Sequence, residues 1–152
     1  MRVVLDTNVL LSALMTRRTP PAQLYEEWRH GRFELASCER QLEELNRVSR
    51  RPFFRARLKP SEVGHMVNGL RRLAVMYDPL PLVAASPDPD DDCLLALAGV
   101  SAADYLVTGD KGGLLVLARY GRTMIVTARQ LVELLQQRLV GSRTARLPKG
   151  TQ

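Results

Sequence analysis

Near its start the chain reads Arg2-Val-Val-Leu-Asp-Thr-Asn-Val-Leu-Leu-Ser-Ala-Leu14, a short apolar run that meets an acidic residue. The β-branched run predicts a buried strand that ends at Asp6. The residues from Asn8 onward predict a helix. In parallel sheets ligands bind outside the carboxyl ends of the strands, so the residues after this strand are candidates for a functional site.

The rest of the chain continues this alternation of strands and helices. Further strands are predicted at 33–36, 80–84, 105–108 and 123–126, and helices at 22–30, 39–49, 62–76, 93–100 and 114–118. A last helix is predicted to begin at the capping box Thr127-x-x-Gln130 and to end near residue 140. The strand at 80–84 is expected at a sheet edge, because proline donates no hydrogen bond to a ladder. The pattern predicts a three-layer α/β/α, Rossmann-like fold with a mostly parallel central sheet. Residues 1–140 are expected to form one domain, and residues 141–152 a flexible basic tail.

The composition excludes several classes of protein. A hydrophobic content of 45% and a charged content of 25% are typical of a globular domain rather than a disordered chain. The longest apolar stretch is about half a membrane span, and Asp6 interrupts the first apolar run too early for a signal peptide, so we expect a cytoplasmic protein. Cys38 and Cys93 form no C-x-x-C motif, and two histidines are too few for a zinc cluster.

Positive charge is concentrated in one segment. The chain has 22 Lys and Arg against 16 Asp and Glu, a net charge of +6. Residues 47–72, which we call the basic segment, hold eight Lys and Arg and one Glu, a net charge of +7. Such clustering is typical of proteins that bind nucleic-acid phosphates, and a solvated arginine-rich helix surface explains it equally well.

Acidic residues stand where strands end and helices begin. Asp6 and Asp110 follow strands, Glu44 lies within a helix, and Asp92 begins one. Each alone also fits a simpler interpretation, such as a helix cap, a turn or a solvated helix face. If the four converge, their repulsion calls for a hard divalent cation, Mg²⁺ or Mn²⁺. Such ions can activate a water and stabilise the leaving oxygen in phosphodiester cleavage.

Four motifs of the chain resemble the PIN domain family. They are Val3-Val-Leu-Asp-Thr-Asn-Val-Leu-Leu-Ser-Ala13, Glu43-Glu-Leu-x-Arg-Val48 with Arg51-Pro-Phe53, Asp88-Pro-Asp-Asp-Asp-Cys-Leu-Leu-Ala-Leu-Ala98 and Ala103-Asp-Tyr-Leu-Val-Thr-Gly-Asp-Lys111. More narrowly, they are similar to the bacterial PIN group assigned as toxins of toxin–antitoxin systems and related to VapC-type toxins. The resemblance covers residues 1 to about 139.

The resemblance implies a metal-dependent ribonuclease that cleaves single-stranded RNA. Carried over by position, the metal-binding catalytic acids are Asp6, Glu44, Asp92 and Asp110, and the supporting polar residues are Thr7, Asn8 and Thr108. Two positions stay open at this point: Asp90 or Asp91 could replace Asp92, and Glu43 could replace Glu44. A cognate antitoxin that covers the acidic site and a homodimer are also typical of the family.

The basic segment supplies the expected grip on RNA. Its candidate contacts are Arg50, Arg51, Arg55, Arg57 and Lys59, with Phe53 and Phe54 available for base stacking, although phenylalanines are more often core residues. Two other functions remain open. One is a PIN module that binds RNA or a protein without cleavage. The other is a small-molecule phosphotransferase with Asp6 as nucleophile, which usually carries a second acid where this chain has Asn8.

Overall fold

Six strands form one central sheet in the computed structural model, which describes residues 1–109 and 113–145. The strands are β1 Arg2–Leu5, β2 Glu34–Ser37, β3 Val75–Met76, β4 Tyr105–Val107, β5 Arg119–Tyr120 and β6 Thr123–Val126. Their order across the sheet is β3-β2-β1-β4-β6-β5, and all neighbours are parallel except β5 and β6. The predicted α/β fold with a mostly parallel sheet is confirmed.

Seven α-helices connect and cover these strands in the described part of the chain. They are α1 Thr7–Met15, α2 Pro20–Arg29, α3 Glu39–Ser49, α4 Pro52–Arg55, α5 Pro60–Leu73, α6 Pro89–Ser101 and α7 Ala128–Ala145, and a short 3₁₀ helix spans Leu114–Leu117. Within residues 1–109 and 113–145, no helix combines the length and apolar character needed to cross a bilayer.

The sheet separates two hydrophobic cores. Val3 and Leu5 of β1 belong to one core and Val4 to the other, because successive side chains of a strand point to opposite faces. The first core is covered by α1, α2, α3, α5 and α7, and the second by α6 and the 3₁₀ helix. Both faces of the parallel sheet are therefore buried, as parallel sheets require.

The edge strand next to β2 differs from the prediction. It is β3 at Val75–Met76, which pairs in parallel with β2, while residues 80–84 form no strand. Pro79 and Pro81 have no backbone N–H to donate to a ladder, and Leu82, which follows Pro81, is fully exposed. The predicted helix at 62–76 ends at Leu73, because Ala74 is already extended with φ −75° and ψ 156°.

The predicted domain boundary at residue 140 falls inside a helix. Helix α7 continues to Ala145, so the first residues of the expected tail are helical. Residues 146–152 lie outside the described part of the chain, as does Asp110.

Candidate active site at the carboxyl edge of the sheet

Asp6 lies where β1 ends and α1 begins. Its backbone N–H donates to the Val107 carbonyl at 2.9 Å, which ties it to the end of the neighbouring strand β4. Its carboxylate caps α1 by accepting the Asn8 N–H at 3.3 Å and also accepts the Thr108 hydroxyl at 2.9 Å. One carboxylate oxygen of Asp6 therefore makes the local contact that a helix cap predicts, and the other oxygen contacts Thr108 next to the end of β4.

Glu44 reaches the same edge from α3. The buried Thr7 hydroxyl, one residue after Asp6, donates to the Glu44 carboxylate at 3.0 Å. Burial raises the pKa of Glu44; the Thr7 hydrogen bond opposes this shift, and the negative charges of Asp90 and Asp6 add to it. The neighbouring Glu43 is exposed. Helix α3 is thus oriented with Glu44, rather than Glu43, toward Asp6.

A buried polar network fixes α3 against the sheet. The Gln41 side chain donates to the Leu5 carbonyl at 2.6 Å and accepts the Ser37 hydroxyl at 2.6 Å. Gln41 and Ser37 are both buried. Gln41 lies one helical turn before Glu44, so its anchor on β1 sets the position of Glu44 relative to Asp6. Sequence reasoning missed Gln41, although a glutamine at a core-facing position beside Leu42 is the signal that could have found it.

The aspartates at the start of α6 have different partners. Asp88 caps the helix by accepting the Asp90 N–H at 2.9 Å. One carboxylate oxygen of Asp92 accepts the backbone N–H groups of Ala85 and Ser86, at 3.0 and 2.8 Å, and so holds the preceding loop. Asp90 instead faces α3, and its negative charge helps to raise the pKa of Glu44. The contacts of Asp92 are thus with the loop before α6, whereas the negative charge of Asp90 helps to raise the pKa of Glu44; the metal-binding role of Asp92 stays a prediction.

The donor chemistry of this edge suits a hard divalent cation. Within residues 1–109 and 113–145, no three His, Cys, Asp or Glu side chains come close enough together to hold a metal ion. Mg²⁺, however, is usually bound by one or two carboxylates together with waters and substrate phosphates. Asp6 and Glu44 offer such a pair, because both carboxylates are oriented by threonine hydroxyls and Glu44 is half-buried next to like charges. These residues fit the predicted group.

The supporting and RNA-contacting residues lie in different environments. Thr7 and Thr108 are buried and hydrogen-bonded to the acids, whereas Asn8 is exposed on the first turn of α1. All five predicted RNA contacts in the basic segment are exposed: Arg50, Arg51, Arg55, Arg57 and Lys59. Arg50 and Arg55 line a cavity of about 390 Å³ between α3, α4 and α5.

The two phenylalanines of α4 differ. Phe54 is buried in the core, as is more common for a phenylalanine, so its ring is not available for base stacking. Phe53 is 54% exposed, and the Arg57 guanidinium lies 4.0 Å from the centre of its ring. Arg57 also donates to the Phe53 carbonyl at 2.8 Å. One exposed aromatic ring with a stacked guanidinium therefore remains on this surface.

Two thiols that the sequence treats as isolated interact beside the site. Cys38 follows β2 and Cys93 follows Asp92, and the two thiols lie close enough to shift each other's pKa. The interaction with Cys93 and burial raise the pKa of Cys38, while the interaction with Cys38 lowers the pKa of Cys93 to about 7. Sequence spacing gave no signal of this contact, because the two residues come from different elements.

Comparison with known proteins agrees with the fold and the motifs. The family model of the PIN domain matches residues 2–112, which include β1 with Asp6, α3 with Glu44 and the acidic start of α6. Among curated proteins, none matches the chain. Because the family model covers well over half of the 152 residues, the chain belongs to the PIN domain family.

Proposed function

We propose that the chain is a Mg²⁺- or Mn²⁺-dependent endoribonuclease that cleaves single-stranded RNA. PIN domains are commonly nucleases and typically use divalent metals. The observation that supports the proposal is that Thr108 and Thr7 donate to the carboxylates of Asp6 and Glu44 at 2.9 and 3.0 Å, and that the charge of Asp6 helps to raise the pKa of Glu44.

The proposed roles follow from these contacts. Asp6 and Glu44 hold the cation, together with Asp110 and one acid from the start of α6, either Asp92 or its neighbours. When bound, the cation supplies Lewis-acid chemistry, which activates a water and stabilises the leaving oxygen. Thr7 and Thr108 keep the carboxylate oxygens oriented, since a hydroxyl that donates to a carboxylate restricts its rotation.

The basic segment is the proposed RNA grip. Its exposed cations would neutralise backbone phosphates, and the Phe53 ring would stack on an unpaired base. Base stacking of this kind requires single-stranded RNA, because paired bases are already stacked on each other. Helix α3 carries Glu44 and continues into the basic segment. An RNA strand bound to the basic segment would therefore extend toward the acids at the carboxyl edge.

We further propose that the protein is the toxin of a toxin–antitoxin pair. In this proposal a cognate antitoxin covers the acidic edge, the protein forms a homodimer, and both proteins work in the cytoplasm. The support is the similarity of the four motifs to the bacterial toxin group. Expression of the chain alone and together with the product of a neighbouring gene tests it: growth arrest that the second protein relieves is expected, and equal growth in both cases contradicts it.

Cleavage of a labelled oligoribonucleotide tests the activity itself. In Mn²⁺ the purified protein should yield shorter fragments, and neither chelator-treated protein nor the Asp6→Asn variant should do so. The exposed Glu43→Gln variant, which removes one charge next to Glu44, serves as the matched control and should cleave normally. Full cleavage by Asp6→Asn would falsify the proposal, and RNA binding without fragments in Mn²⁺ would favour the non-catalytic module.

A further inference from the structure

Two arginines flank Glu44 on the same face of α3. Arg40 precedes Glu44 by four residues and Arg47 follows it by three, spacings that place side chains on one side of a helix. Both guanidinium groups face the same carboxylate across the gap to α6. Nη2 of Arg40 lies 3.9 Å from one Asp90 oxygen, and Nη2 of Arg47 lies 3.6 Å from the other.

These two ion pairs are longer than the pairs of the molecule that are also hydrogen-bonded, such as Arg2–Glu34 and Arg71–Glu39. A charge-assisted hydrogen bond between nitrogen and oxygen is typically about 2.7–2.9 Å long. Arg2 donates to Glu34 at 2.8 and 3.1 Å, whereas in residues 1–109 and 113–145 the guanidinium groups of Arg40 and Arg47 donate no hydrogen bond. In the described residues, their guanidinium groups therefore face an opposite charge without donating a hydrogen bond to it.

We propose that Arg40 and Arg47 bind a phosphodiester of single-stranded RNA next to the acidic centre, and that Asp90 occupies this phosphate site in the free protein. The bridging pattern supports the proposal, since each Asp90 oxygen faces a different guanidinium. The two non-bridging oxygens of a phosphodiester can take the same two positions, and guanidinium groups bind phosphate oxygens through several donors at once.

Displacement of Asp90 costs little. All three side chains are substantially exposed, between 43% and 63%, and exposed ion pairs contribute little to stability. The incoming phosphate replaces one negative charge with another and gains the hydrogen bonds that Asp90 does not make. When Asp90 is displaced, its carboxylate stays near Glu44, whose pKa the charge of Asp90 already helps to raise.

The surroundings favour RNA over free phosphate as the source of this group. Arg47 is the first residue of the basic segment, and Arg50, Arg51 and Arg55 follow it on the exposed surface. A chain of phosphates bound along this row meets cations at successive positions, whereas a single phosphate ion uses only the first two. The choice of RNA rests on the proposed function; the existence of a phosphate site does not.

Binding of a fluorescein-labelled oligouridylate, followed by anisotropy in EDTA over a range of KCl, tests the proposal without any cleavage. Arg40→Gln and Arg47→Gln should each weaken binding several-fold and lower the salt slope by roughly 0.7, the value for one phosphate contact on a single strand. Asp90→Asn should tighten binding several-fold, because it removes the competitor. Circular dichroism checks that each variant is folded.

Matched controls come from the opposite edge of the sheet. Arg122→Gln removes an exposed arginine that pairs with Asp104 at 3.2 Å, and Glu34→Gln removes an exposed carboxylate that pairs with Arg2. Binding that is equal in the Arg47 and Arg122 variants, or in the Asp90 and Glu34 variants, overturns the proposal. Inorganic phosphate that competes with RNA at equal phosphate concentration overturns the assignment to RNA.

The two proposals can fail separately. If the wild-type chain yields no fragments in Mn²⁺ but the Arg47→Gln and Asp90→Asn variants shift RNA binding as expected, the nuclease proposal fails and the phosphate site stands. If the wild-type chain cleaves RNA and these variants bind it like their controls, the phosphate site fails and the nuclease proposal stands.

Discussion

Threonine hydroxyls connect the candidate acids to the fold. Thr7 donates to Glu44 on α3, and Thr108 donates to Asp6 at the end of β1. Both threonines are buried, so neither hydroxyl exchanges freely between the carboxylate and water. Partners of this kind set the orientation of metal ligands and are often as important for affinity as the ligands themselves.

Replacement of Thr7 by valine should therefore affect the metal more than the fold. We expect Thr7→Val to weaken Mn²⁺ binding by about tenfold and to lower the free energy of unfolding by about 1 kcal/mol. Titration calorimetry without RNA measures the first quantity and urea denaturation the second. Thr123→Val is the control, because this buried threonine donates to the Ala103 carbonyl at 2.7 Å, away from the acids. Equal Mn²⁺ affinity in both variants would contradict the role given to Thr7.

A second residue prediction concerns Asp104, at the opposite edge of the sheet. A hydrogen bond from the Arg2 N–H, strengthened by the charge of Arg122, holds the pKa of Asp104 below its ordinary value. A depressed pKa stabilises the fold above the unfolded pKa of about 3.9, and this contribution is lost as the pH falls through the folded value.

The Asp104→Asn variant should show this pH dependence as a difference from the wild type. We expect it to be less stable by about 1 kcal/mol near neutral pH, where the side chain is ionised, and to approach the wild type as the pH falls through the folded pKa of Asp104. Urea denaturation at several pH values measures the difference. A difference that stays constant down to low pH would show that the charge of Asp104 contributes nothing.

Single residues also mark the limit of prediction from sequence. The resemblance pointed to Glu44 and left Glu43 open, and the contact with Thr7 shows that Glu44 is the one oriented toward the end of β1. The pairing of Asp90 with Arg40 and Arg47 was not predictable, because it depends on how two helices from distant parts of the chain face each other. The same reason explains why the Cys38 and Cys93 contact was missed.

At the scale of elements, α3 connects the parts of the site. Glu44 and two arginines lie on one of its faces, and the chain continues from its end into the exposed cations of the basic segment. Its position depends on Gln41, whose side chain joins the end of β1 to the end of β2. A shift of this helix would move an acid and the phosphate-binding arginines together.

Replacement of Gln41 by leucine should therefore be costly. It leaves the buried Ser37 hydroxyl without its acceptor and removes a donor from the Leu5 carbonyl, so we expect a loss of about 2–4 kcal/mol in the free energy of unfolding. Addition of Ser37→Ala should recover part of this loss, because the orphaned hydroxyl is then gone. Urea denaturation of both variants measures these changes. A double variant less stable than Gln41→Leu would contradict this account of the network.

Most helices and strands could be predicted from their regular apolar periodicity. The shortest elements are too short to show a periodicity and were not predicted. Strand β1 and the helices around Glu44 and after Asp92 were recognised from apolar spacing. Strand β3 has only two residues, and its pairing with Ala36 and Ser37 of β2 creates it rather than any local propensity. Helix α4 is a single turn that begins at Pro52, and the burial of Phe54 holds it against the first core.

At the scale of the whole molecule, opposite charges are separated but adjacent. The basic segment carries +7 of a chain whose net charge is +6, so the remaining residues are slightly acidic, and the carboxylates of Asp6 and Glu44 lie at the carboxyl edge of the sheet. RNA phosphates are attracted to the first region and repelled by the second. A cation bound at the acidic edge removes that repulsion, and it should also change how the fold responds to the loss of an acid.

Glu44→Gln should accordingly reverse its effect on stability when Mn²⁺ is added. Burial and the neighbouring aspartates raise the pKa of Glu44, so its ionisation costs stability above the unfolded pKa of about 4.3 and nothing below it. In EDTA near neutral pH, the variant should thus unfold at a Tm equal to or above that of the wild type, and this advantage should vanish in acid.

In Mn²⁺ the order should invert, because only the wild type keeps its ligand. At about one hundred times the dissociation constant, bound Mn²⁺ adds roughly 2.7 kcal/mol to the free energy of unfolding of the wild type. Glu44→Gln should gain much less, whereas Glu43→Gln, with the same charge removed from an exposed position, should gain as much as the wild type. Thermal melts of the three proteins in EDTA and in Mn²⁺ measure this directly. Equal gains in all three would remove Glu44 from the metal site, since a ligand cannot be lost without loss of the stabilisation that it provides.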